Sequence, residues 1–214
     1  MDNRHDNVIV YEMKRHVPFT AFGAGTGIVL LLAVVLLSIP ASITGPLFYI
    51  SHPVHVVLSA LVTTSMYRRY RLSIVGAVVI GYVGSIATAS ISDVIFPYLG
   101  GELVGAKMEF ELPFIHEWWL VNPAAAAGIG IGLWRPFTRV SHAGHVMIST
   151  WASLFFLVSH GQANWLPLLP VIFALLFVSV WFPCCFSDII FPLLFVTKGR
   201  GNERGSGQQA DAAH

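Results

Sequence analysis

The sequence predicts an all-α integral membrane protein of six transmembrane helices, arranged as two inverted-topology repeats of three helices with both termini in the cytoplasm. Three observations predict it: an apolar composition, a one-sided distribution of basic residues, and polar motifs that recur in the same order in both halves.

Of the 214 residues, 55% are hydrophobic and 11% charged, and the mean hydropathy is +0.70. Soluble domains carry about 25% charged residues, so water is not the main solvent of this chain. The 12 Lys and Arg nearly balance the 11 Asp and Glu. A net charge of +1 gives no basic footprint for a polyanion, which excludes nucleic acid as a partner. Cys184 and Cys185 are adjacent within an apolar run. They build neither a disulfide framework nor a zinc-knuckle spacing, have no counterpart in the first half, and read as packing residues.

A spanning helix needs about 20 mostly apolar residues. Six stretches qualify: 18–39, 48–67, 72–96, 114–134, 142–159 and 165–190. The first is too long for a signal-peptide core of about 7–15 residues and follows a mixed-charge segment, so it reads as a retained helix. Basic residues accumulate on the cytoplasmic side of membrane proteins. With the N-terminus inside, the inner segments hold Arg4, Lys14, Arg15, Arg68, Arg69, Arg71, Arg135, Arg139, Lys198, Arg200 and Arg204, and only Lys107 lies outside. The expected location is the cytoplasmic (plasma) membrane, with lipid as the principal contact; a homo-oligomer is compatible with a unit of this size.

Self-similarity divides the chain. Glu12 precedes Pro18, Gly23, Gly25 and Gly27 at the spacings with which Glu117 precedes Pro123, Gly128, Gly130 and Gly132. The second helix carries Ser51-His52-Pro53-Val54-His55-Val56 with Ser59, and the fifth Ser141-His142-Ala143-Gly144-His145-Val146 with Ser149, both SHxxHVxxS. The third ends on Ser92-Asp93-Val94-Ile95-Phe96-Pro97 and the sixth on Ser187-Asp188-Ile189-Ile190-Phe191-Pro192, both SDxIFP. Residues 1–100 form the first repeat and 101–198 the second. Residues 199–214, rich in Gly, Gln and Ala, read as a disordered cytoplasmic tail. Three helices per half is an odd number, so the second half enters from the opposite face, the inverted pattern of secondary transporters. The glycine series lies in membrane helices and predicts close helix packing, not phosphate binding.

The topology gathers the polar motifs into two clusters. His52, His55, Asp93 and Glu117 fall near the outer face; Glu12, His142, His145 and Asp188 fall near the inner face. Histidines at i and i+3 share a helix face, and two imidazoles with two carboxylates suit zinc, manganese, iron, cobalt or nickel. Copper(I) prefers thiolate or thioether ligands, which are scarce here. Asp93 and Asp188 are the acidic residues deep in apolar stretches, where a charge is costly unless paired, hydrated or metal-bound. Ser51 and Ser141 read as N-caps. His160, Trp118, Trp119 and Trp165 suit the interfacial belt, and Ser59, Thr63 and Thr64 opposite Ser149, Thr150 and Ser153 suit a polar path.

Together these features predict a transporter or exporter of a divalent transition metal, exchanging it for protons or by alternating access, more readily than an enzyme. The alternatives are a membrane metalloenzyme acting on a lipidic substrate and a dihaem electron carrier pairing His55 with His116 and His145 with His16.

Overall fold

The computed structural model describes residues 3–134, 139–186 and 191, with the side chains of residues 3–13, 15, 16, 70 and 139–142 outside that description. The long helices are α1 (Asn3–Leu36), α2 (Ala41–Tyr70), α3 (Ile74–Ser90), α6 (Trp118–Trp134), α7 (Arg139–His160) and α8 (Leu169–Cys185). A π-helical turn at Ile91–Ile95 joins α3 to α4 (Phe96–Leu103), and a single turn, α5 (Pro113–His116), precedes α6. Two strands, β1 (Lys107–Met108) and β2 (Gly161–Gln162), pair antiparallel with Lys107 opposite Gln162 and tie the α4–α5 connection to the end of α7. The sequence pattern is too short to announce that clasp.

The molecule is inside-out relative to a soluble fold. Phe22, Val29, Ile50, Val75, Val79 and Phe182 are exposed, whereas His52, His55, Ser59, Thr63, Asp93, His145 and Ser149 are buried. Among the described residues, four helices are long and apolar enough to cross a membrane: Val17–Leu36, Ala41–Arg69, Ile74–Leu103 and Leu166–Cys185. Together they make this an all-α membrane protein in contact with lipid. Of the other two predicted spans, α6 has 17 residues, and α7 carries His145, Ser149, Thr150 and Ser153, all buried against protein.

Several boundaries differ from the sequence reading. The first helix begins fifteen residues earlier, at Asn3, and α2 begins at Ala41 instead of 48. Ser51 is therefore no N-cap: it lies inside α2 and its hydroxyl donates to the Leu47 carbonyl at 2.7 Å. Ser141 likewise lies inside α7. The last predicted span starts later, after a 3₁₀ turn at Leu166–Leu168. Trp118 and Trp119 are exposed as expected of a belt, but Trp165 is buried against Ala106, Leu157 and Gly161.

Helix α2 packs on α3, α6 and α7, and α7 packs on α1, α2 and α8; α6 also meets α3, and α1 meets α8. Exchanging the first three long helices for the last three maps the α2–α7 pair onto itself and each of the other pairs onto another. The glycine series enforces the crossings. A Cβ on Gly128 would fall on the Val57 carbonyl oxygen, and one on Gly132 would meet that of Leu61, so α6 lies directly on α2. Gly23 sets α1 against Met147 and Thr150 of α7, while Gly25 and Gly130 face open space. Backbones approach this closely only where side chains are small.

Candidate metal centre

The SHxxH spacing does bring both α2 imidazoles to one point. His52 Nδ1 and His55 Nδ1 lie 2.9 and 2.7 Å from the same oxygen, Asp93 Oδ2. Asp93 reaches them from the π-helical turn, where the wider coil interrupts the α-helical register; such bulges recur at functional sites. Its other oxygen, Oδ1, accepts from Ser92 Oγ at 2.6 Å and Ser149 Oγ at 3.1 Å. Ser153 Oγ donates to the Ser92 carbonyl at 2.9 Å and to that of Ser149 at 2.8 Å, locking α7 to the turn.

Four donors facing two oxygens is the arrangement of an acceptor-only carboxylate. Both α2 histidines then carry their proton on Nδ1 and offer a lone pair at Nε2. A carboxylate behind a histidine in this way fixes the tautomer for metal binding at the far nitrogen. Asp93 is thus placed as a positioning group for the imidazoles.

His55 Nε2 points at His145 Nε2, 2.8 Å away, with the rings tilted by 31°. Cys184 Sγ lies 3.8 Å from the same His145 nitrogen and 3.9 Å from Ser149 Oγ. His55, His145 and Cys184 are at most 1% exposed, and their ligand atoms lie within 4.8 Å of one another. This group has the donors to hold a metal ion. His55 sits fourteen residues after Ala41 and fifteen before Tyr70, about 21 Å along a helix rising 1.5 Å per residue, twice as deep as a helix starting at residue 48 would put it.

The expected grouping changes accordingly. His52, His55 and Asp93 come together, but His145, assigned from sequence to an inner cluster, lies against His55. Glu117 does not join them: it caps α5, and its carboxylate makes no hydrogen bond or ion pair with His52, His55 or Asp93. Asp188 and the side chains of Glu12 and His142 lie outside the described residues. His116, the expected haem partner of His55, is exposed on α5, while both nitrogens of His55 are engaged by Asp93 and His145. Of the expected polar path, the Ser59 and Thr64 hydroxyls are buried with no hydrogen-bond partner among the described residues; Thr150 turns back onto the Val146 carbonyl.

Cys184 escaped the sequence reading because its position in the first repeat is Ala89, so duplication gave no signal. The available clue was its spacing: Cys184 precedes Asp188 by four residues, one helical turn.

A second polar cluster surrounds His160. Its Nε2 lies 3.3 Å from Glu111 Oε2, its ring stacks on Phe156 at 4.5 Å, and Glu111 also hydrogen-bonds Tyr49. Phe48, fully buried, separates the two clusters, with its ring 5.4 Å from that of His52 and 5.6 Å from that of His160.

Compared with protein-family models, curated proteins and solved structures, the chain matches none.

Proposed function

We propose that this chain is a small secondary transporter of a divalent transition metal, made of six spans in two inverted three-helix halves, with one central ion site between them. The observation that carries the reading is the facing His55 and His145 Nε2 pair. Each half contributes one imidazole, from the same position of the same motif, on the two helices that pack against each other. A ligand held between repeat-related helices near mid-membrane is where alternating access places its cargo.

The repeat has support beyond the motifs. Helix contacts recur under exchange of the halves, Gly23 against Met147 and Thr150 answers Gly128 against Val57 and Ala60, and the backbone at Phe186 is π-helical like that of Ile91, its counterpart. Buried Ser59 and Thr64 continue the polar lining along α2 beyond His55. Glycine-packed crossings give the halves surfaces on which to rock.

Elemental analysis of detergent-purified protein tests the site, and ion flux into liposomes containing a fluorescent chelator tests transport. One zinc-class ion per chain, lost together with flux in His55→Ala/His145→Ala, is expected. Two ions per chain would restore separate clusters, and bound metal without flux would replace the transporter by a fixed metal centre. Cysteine labelling tests the topology: a residue placed near Arg69 should react only from the cytoplasm and one near Gly100 only from outside.

A further inference from the structure

We infer that Cys184 is the third ligand of the central site, so that the ion is a thiophilic one, zinc or copper(I), and manganese and magnesium are refused. This rests on the metal reading above but not on transport.

The geometry comes first. On a tetrahedral zinc ion with Zn–S of about 2.3 Å and Zn–N of about 2.0–2.1 Å, neighbouring nitrogen and sulfur ligands are about 3.5 Å apart and two nitrogens about 3.4 Å. Cys184 Sγ and His145 Nε2, 3.8 Å apart, already have nearly that spacing. The two Nε2 atoms, at 2.8 Å, need to part by about half an ångström, a small rotation of either ring. Cys184 is held in place by Val146 and Val180, and the sulfur is a thiol, not part of a disulfide.

The donor chemistry comes second. Asp93, the carboxylate in contact with His55, has Oδ1 occupied by Ser92 and Ser149 and Oδ2 by the imidazoles of His52 and His55. Among the described residues, Ser149 offers the sulfur a neutral hydroxyl. The donors that these residues bring together are two imidazoles and a thiol. Magnesium and manganese take carboxylate, carbonyl and water oxygens, whereas thiolate and imidazole select zinc and copper(I). The preference read from the sequence shifts accordingly: Asp93, taken up by its four donors, no longer counts toward a manganese site, and copper(I) gains a sulfur. Three protein ligands leave a fourth position open, as in zinc sites that exchange a ligand.

The test uses the full-length protein loaded with cobalt(II) as a zinc surrogate. Wild type is expected to show a near-ultraviolet thiolate-to-cobalt charge-transfer band with strong visible bands of a four-coordinate ion. Zinc should abolish both; a hundredfold excess of manganese or magnesium should leave them unchanged. Cys184→Ser should lose the charge-transfer band and bind zinc at least on the order of a hundredfold more weakly, since loss of a second-shell partner alone costs about 10- to 100-fold. Cys185→Ser should change neither. An unchanged cobalt spectrum in Cys184→Ser would overturn the inference and leave a histidine site standing. Failure of wild type to bind cobalt, zinc or copper(I) would overturn the metal reading itself. X-ray absorption on zinc-loaded wild type decides the matter even if the variant does not fold: a sulfur scatterer at about 2.3 Å is expected, and a shell of nitrogen and oxygen alone overturns the assignment.

Discussion

Two histidine–carboxylate pairs lie on either side of Phe48, and they do different work. His55 and Asp93 meet at 2.7 Å with both side chains fully buried, whereas His160 and Glu111 meet at 3.3 Å with side chains 10% and 32% exposed. In the buried pair every carboxylate lone pair is taken up by imidazole or serine, as full burial of a charged group demands. In the outer pair solvent shares the load, and an aromatic stack holds the ring as much as the carboxylate does. The same two residue types thus make a rigid, fully specified centre in one place and an adaptable surface contact in the other.

Removing Asp93 should cost most. Asp93→Ala strips the acceptor from two imidazoles and two hydroxyls, and a broken buried network of this kind is worth about 3–5 kcal/mol, read as a lowered unfolding temperature in detergent. Asp93→Asn keeps the volume but removes the negative charge and leaves one oxygen to serve either the two imidazole N–H groups or the two serine hydroxyls. The support behind His55 weakens, so bound metal, measured by elemental analysis, should fall below one per chain even where the fold survives. If Asp93→Ala is no less stable than Glu111→Ala, the contrast between the two pairs is broken.

The glycine crossings come next. Gly128→Ala places a methyl on the Val57 carbonyl, and overpacking of that kind costs about 1–3 kcal/mol. Gly23→Ala meets the Thr150 hydroxyl first, a group that can turn aside, and should cost less. Gly130→Ala faces open space and should gain up to about 1 kcal/mol of helix propensity. Thermal unfolding of the three variants side by side orders them, and equal effects would remove the distinction between the helix faces.

Smallest is Glu111→Gln, where a partly exposed histidine–carboxylate contact is worth about 0–1 kcal/mol, read as a barely shifted unfolding temperature.

Much of this was legible in the sequence because membrane helices advertise their polar residues. SHxxH named two imidazoles that do converge, SDxIFP named the aspartate they converge on, and the glycine triplets named the crossings. What was not legible follows from how helices begin. No cap residue marks Ala41, so α2 was started seven residues late, which left His55 shallow and kept it apart from His145. Glu117 was drawn in by the repeat, but it caps the separate turn α5 and makes no hydrogen bond to His52, His55 or Asp93. Tyr49, Glu111 and His160 belong to no repeat and gave no pattern to follow.

Because α6 lies on α2 and α1 lies on α7 and α8, each group of three leaves its first helix in the arms of the other. During synthesis α1 must therefore wait in the bilayer, its glycine face uncovered, until the last two long helices arrive. Expressed as two separate chains, the halves would each lack a wall, and they should become stable only when made together.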